Sequence, residues 1–115
     1  MKHINFINLT GHDINLVDID GKLIHVFPFI EKAVRCPLRT ETEEWVQIAD
    51  TNIKVPLTKT TYSDPELPAP HPYTLYLVSE VVARRFKEKR DDLRIVNGLV
   101  KIAGKTVGCR SLGRV

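Results

Sequence analysis

The chain has 115 residues and a mass of 13.1 kDa, enough for a single domain spanning 1–115 with a core of its own. Hydrophobic residues make up 43% of it and charged ones 27%, which excludes a disordered or collagen-like chain. Residues 1–83 carry 7 basic and 11 acidic side chains, whereas residues 84–115 carry 10 basic and 3 acidic ones, so a positive field gathers in the last quarter.

In chain order, His3 to Leu9 alternates apolar and polar residues as a strand does, and Thr10-Gly11 breaks it. Ile14 to Ile19 and Lys22 to Phe27 flank Asp20-Gly21, whose residues tolerate the positive φ of a tight hairpin turn. Glu44 to Ala49 and Asn52 to Leu57 are further strand candidates, separated by the polar Asp50-Thr51. Asp64 to Pro72 holds four prolines, which lack the amide a ladder needs, so it reads as a loop.

Tyr73 to Val78 reads as a buried strand. Ser79 then caps a helix that runs to about Lys89, with Val82 and Phe86 on one face. Leu93 to Val96 and Leu99 to Ile102 flank Asn97-Gly98, a further hairpin signature, and Ala103-Gly104-Lys105 turns into a strand from Thr106 to Cys109. The pattern predicts an α+β, mostly β fold: a small antiparallel sheet domain with one helix near residues 79–89.

Catalytic motifs fail on spacing. Gly98 to Thr106 has five residues where a P-loop has four, and a strand where that loop needs a helix. There is no G-x-S-x-G elbow, and the histidines, cysteines and acids lack metal-ligand spacing. Cys36 and Cys109 are too far apart in sequence for a CxxC site and read as free thiols, Cys109 as a small buried residue. His12 reads as a turn histidine, and Asp91-Asp92 after Lys87 to Arg90 as a salt-bridged turn. No apolar run reaches transmembrane length, and the first residues lack the apolar core of a signal peptide, so a cytoplasmic protein without a membrane partner is expected.

Binding chemistry remains. Arg84, Arg85, Arg90, Arg94, Arg110 and Arg114 supply planar forks of donors suited to phosphate oxygens. Phe86 either packs on the core beside Val82 or stacks a purine. Asn97 either holds a turn before Gly98 or reads an adenine edge. Arg110 and Arg114, four apart, would share a face in a strand. A chain this small also suggests that the walls of a nucleotide pocket come from two copies.

The segments Ile7-Asn8-Leu9-Thr10-Gly11-His12-Asp13-Ile14, Glu66-Leu67-Pro68, Tyr76-Leu77-Val78-Ser79, Arg90-Asp91-Asp92-Leu93 and Val107-Gly108-Cys109-Arg110 span nearly the whole chain. In this order they resemble phage Thoeris anti-defence proteins of the first type, with Gly11 standing where that family has proline. The resemblance implies a non-enzymatic sponge without a cofactor. Acting in the bacterial host cell, it would sequester cyclic ADP-ribose isomers made by TIR-domain proteins. It implies a homo-oligomer, dimer or hexamer, with ligand contacts matching Phe86, Asn97, Arg110 and Arg114, and Arg35 from the N-terminal half. It also implies a separate site for cyclic oligonucleotides. The readings from other classes are a nucleotide-degrading enzyme and a basic phage structural or nucleic-acid-associated protein.

Overall fold

The computed structural model describes residues 2–30 and 34–115. The elements run β1 (Asn5–Asn8), β2 (Ile14–Val17), β3 (Leu23–Phe27), β4 (Leu38–Gln47), β5 (Lys54–Tyr62), β6 (Thr74–Leu77), α1 (Glu80–Arg85), β7 (Leu93–Ile102) and β8 (Lys105–Gly113). The protein is mostly β with one short helix, an α+β arrangement. No helix among the described residues is long and apolar enough to cross a membrane.

Six strands form one sheet in the order β1-β6-β7-β8-β2-β3. The β2–β3 and β7–β8 pairs are antiparallel, as their tight turns require, whereas β1–β6, β6–β7 and β2–β8 are parallel. The sheet is therefore mixed. Parallel neighbours need a crossover of about a dozen residues or more, and the helical segment between β6 and β7 supplies it.

Ser79 caps that helix, its hydroxyl accepting the Val82 amide at 3.4 Å. The helix ends at Arg85, short of the predicted Lys89. The amides of Lys89 and Arg90 both turn back onto the Phe86 carbonyl at 2.9 Å, which folds the chain toward Asp92.

A second difference lies at Asn97-Gly98. This dipeptide is not a hairpin turn: β7 passes straight through it, with Gly98 at φ +63° opposite Arg110. Positive φ serves a kink within a strand as well as a turn, so the same residue chemistry fits both. The hairpin turns instead at Ala103-Gly104, both at positive φ, as a two-residue turn requires.

The two outer strands meet. Asn8 and Phe29 form a bridge, the Ile30 amide donates to the Asn8 carbonyl at 3.1 Å, and the Phe6 and Phe27 rings touch edge to face. The sheet thus curls almost closed. Ile14, Leu77 and Cys109 pack on one face of it; Leu9, Tyr76, Val78 and Leu93 pack with Val82 and Ala83 of the helix on the other.

Close strand packing depends on Gly108. A Cβ there would sit 2.6 Å from the Asn15 carbonyl oxygen and 2.7 Å from a Val17 methyl carbon. Backbone cannot yield as a side-chain tip does. Gly108→Ala is expected to cost about 1–3 kcal/mol, the usual penalty of overpacking, read as a lower urea midpoint with an unchanged slope.

β4 and β5 pair only with each other, as a separate two-stranded sheet. The radius of gyration is 18.9 Å, against about 13 Å for a compact chain of this length. The β4–β5 hairpin is a projecting arm. Its base is tied to the helix by Arg85, which donates to the Tyr62 carbonyl at 3.0 Å and pairs with Asp64.

Candidate functional site

Beyond the end of β6, one edge of β7 loses its neighbour, and a recess of about 550 Å³ opens beside it. Its apolar lining is Ile14, Val78, Ile95, Val96 and Leu99. Its polar lining is Thr10, His12, Arg35, Ser79, Glu80 and Asn97. A second hollow of about 230 Å³ shares His12, Ile14, Val96 and Leu99 and ends on Gly108 and Cys109. The two hollows are neighbours across those shared residues.

Local chemistry sets which groups are free to act there. Ser79 is engaged as the helix cap, and Glu80 pairs with Arg84 at 2.7 Å. Asn97 accepts the Gly98 amide at 2.9 Å through its side-chain oxygen, and its Nδ2 lies over Gly113. The side chain thus holds the kink and still presents a donor. His12 Nδ1 lies 3.2 Å from the Asp13 carbonyl, which fits the expected turn histidine. Cys109 is 1% exposed, its Sγ donating to the Asn15 carbonyl at 3.6 Å, and burial raises its pKa above the ordinary thiol value. Burial raises Cys36 likewise. Both thiols stay protonated at neutral pH, the inert condition of a buried cysteine.

The predicted site residues divide among several places. Arg35 and Asn97 line the large recess together. Phe86 caps the helix, half-buried against the core, with Lys89 Nζ 5.9 Å from its ring centre, and lines neither hollow. Arg110 is exposed on β8 opposite Gly98. Arg114 lies past the end of β8, so strand alternation does not align it with Arg110. It lines a narrow cleft of about 160 Å³ with Lys87, Arg90 and Arg94.

The C-terminal arginines also divide by what they bind. Arg84 pairs with Glu80, Arg85 with Asp64 and Arg90 with Asp92, the last being the salt-bridged turn expected there. Arg94 donates to the Asp91 and Leu93 carbonyls, both at 2.8 Å. Its pKa is held below the ordinary arginine value by burial first and then by the like charge of Arg114. Arg110 and Arg114 make no ion pair among the described residues. Their charge is therefore available to an anion, and that of the paired arginines is largely spoken for.

Sequence reasoning missed Thr10 and Glu80 as recess residues. The only local signal was that each stands beside a chain reversal, at the Thr10-Gly11 break and at the Ser79 cap. No protein-family model, curated protein or solved structure matches the chain, so the functional reading rests on its own residues and on the resemblance described above.

Proposed function

We propose that the protein binds a cyclic ADP-ribose isomer without cleaving it and so withholds an immune signal. The recess lined by Arg35 and Asn97 carries this reading. Its volume of about 550 Å³ falls within the range of small-molecule pockets, which pair an apolar lining with a few directed polar groups. The Asn97 amide nitrogen offers a donor to a base, and a guanidinium offers paired donors to pyrophosphate. The unpaired Arg110 lies across the kink from Gly98 and adds positive charge near the same strand. A second, cyclic oligonucleotide ligand belongs to the same proposal, supported by the positive charge of Arg114 beside Lys87 and Arg94. Acting as a phage anti-defence factor in the host cytoplasm, as a homo-oligomer, belongs to the same proposal.

Incubating the protein with the nucleotide, heating it and assaying what is released tests this reading. Intact ligand is the expected result. Altered ligand would instead favour a nucleotide-degrading enzyme, for which His12 and Glu80 in the same recess are the acid and base to examine. In calorimetric titration, Arg35→Ala, Asn97→Ala and Arg110→Ala should each weaken binding, by about 1.5–3 kcal/mol for the two arginines. Arg114→Ala should cost less, because it stands off the recess. Equal affinity in all four variants sinks the site.

A further inference from the structure

β6 lies between β1 and β7, parallel to both, and stops at Leu77. Just past its end, the Val78 amide donates to the Arg94 carbonyl of β7 at 3.0 Å. The chain then leaves the sheet at Ser79 for the helix, while β7 continues to Ile102. What remains is a crevice beyond the carboxyl end of β6, walled by Thr10 after β1 and by Ile95 to Leu99 of β7. Crevices at the carboxyl ends of parallel strands are where α/β sheets take their ligands.

Register assigns the main-chain groups of β7 to one edge or the other. Successive residues of a strand point their N–H and C=O to opposite edges. Arg94 faces β6, through the carbonyl that the Val78 amide bonds, so Ile95 and Asn97 face β8, opposite Gly113 and Ser111. Val96 faces the open edge. Its place opposite Leu112 is the non-hydrogen-bonded kind of pair, and no turn or loop group among the described residues bonds its amide or carbonyl. The Gly98 amide, further along the strand, is satisfied by Asn97 Oδ1 at 2.9 Å. Val96 thus presents an adjacent donor and acceptor to the crevice.

Apolar Ile14, Val78, Ile95 and Leu99 line the same crevice, and Leu99 is 57% exposed. In a ladder, one residue opposite Val96 would satisfy both of its groups by exchanging N–H and C=O bonds. A flat base with an acceptor beside a donor does the same, while its faces take the apolar contacts. The Watson–Crick edge of adenine has that pattern, with N1 accepting beside the N6 amino group. Asn97 holds its side-chain oxygen on the Gly98 amide, which leaves that side chain a donor to offer and no matching acceptor.

We propose that the main chain of Val96, at the open edge of β7, reads the adenine of the bound nucleotide: its N–H donates to N1 and its C=O accepts from N6. This assignment rests on the nucleotide reading above and adds to it the group that selects the base.

Amide exchange of the unmodified, ligand-free protein tests the edge itself. The Val96 amide should exchange at least tenfold faster than those of Ile95 and Asn97; equal protection of the three overturns the proposal. Calorimetry then compares a cyclic ADP-ribose isomer whose adenine N1 is free with its 1-deaza and 3-deaza analogues, in each of which C–H replaces one ring nitrogen. At mildly alkaline pH, where every ring is neutral, the 3-deaza analogue should match the parent within about threefold. The 1-deaza analogue should bind at least tenfold more weakly, the loss of one hydrogen bond in a desolvated site. The parent should also slow exchange of the Val96 amide at least tenfold. Equal affinity of the two analogues, or a Val96 amide that exchanges as fast with the parent bound, overturns the base assignment and leaves nucleotide binding standing. If the parent does not bind at all, the nucleotide reading and this assignment fall together. Val96→Pro deletes the N–H on the open edge, and a folded variant that binds the parent unchanged also overturns the assignment.

Discussion

Arg90→Ala is expected to destabilise the protein by about 3–5 kcal/mol, because it strands a buried carboxylate. Arg90 and Asp92 pair through both oxygens, at 2.9 and 2.8 Å, with side chains only 14% and 12% exposed. The same guanidinium donates to the Pro68 carbonyl at 2.9 Å and lies over the Tyr76 ring. It therefore ties the proline-rich loop to the start of β7. Tyr76 completes that tie, its hydroxyl donating to the Ala69 carbonyl at 2.9 Å. Urea unfolding of the single variants, and of Arg90→Met with Asp92→Leu, separates the pair's net worth from the penalty of breaking it. The double variant should lose much less than either single one.

The same pair sets an acid limit. Hydrogen bonds from Arg90 hold the Asp92 carboxyl below its ordinary range, against the opposing effect of burial. A carboxylate with a lowered folded pKa contributes its full stabilisation above the unfolded value, near about 3.9. That contribution is lost as pH falls through the lower, folded value. The penalty of Arg90→Ala should accordingly shrink at acid pH, where Asp92 is protonated and needs no cation. A penalty that stays constant from neutral pH to acid would assign the effect to lost packing instead.

Asn8→Ala is expected to cost about 2–4 kcal/mol, several buried hydrogen bonds failing together. Asn8 is 2% exposed. Its amide nitrogen donates to the Phe27 carbonyl at 2.8 Å and the His12 carbonyl at 2.9 Å. Its side-chain oxygen accepts from the Thr10 amide at 2.9 Å and from the Thr10 hydroxyl at 2.6 Å. One side chain thus fixes β1, the turn after it and the end of β3. Asn8→Asp keeps the acceptor but loses both donors, so it should be nearly as damaging at neutral pH. Thermal unfolding and amide exchange check this, with the Leu9 amide, which donates to the Leu77 carbonyl at 2.8 Å, among the first to lose protection. Because the Thr10–His12 turn borders the recess, the proposed nucleotide binding should weaken in the same variant.

Features decided by neighbouring residues were legible in the sequence. The Asp20-Gly21 hairpin, the Ser79 cap and the proline-rich loop each follow from the chemistry of a few adjacent positions. Asn97-Gly98 was not, because positive φ at a glycine suits a kink as well as a reversal, and the pairing of β7 with β8 decides between them. The arm is longer than its alternating segment, since its threonines and glutamates, exposed on both faces, carry no burial pattern. The parallel ladders joining β1, β6 and β7 are set by contacts far apart in sequence, which no local signal encodes. The same holds at the site. Arg35 and Asn97 line one recess although they lie far apart in sequence, and the capture of Arg85 by Asp64 depends on where the loop returns to the helix.

The parallel pairing of β1 with β6 and of β2 with β8 has a consequence for biogenesis. During synthesis at about 5–20 residues per second, β1 waits several seconds for its partner to leave the ribosome. Until β8 emerges, the β2–β3 hairpin lacks the strand that joins it to the rest of the sheet. A nascent chain halted before residue 105 can hold local hairpins but not the curled sheet, so the sheet should close only once β8 has emerged, and slowly for its size. Overexpression should then be limited by aggregation of unfinished chains more than by the stability of the finished fold.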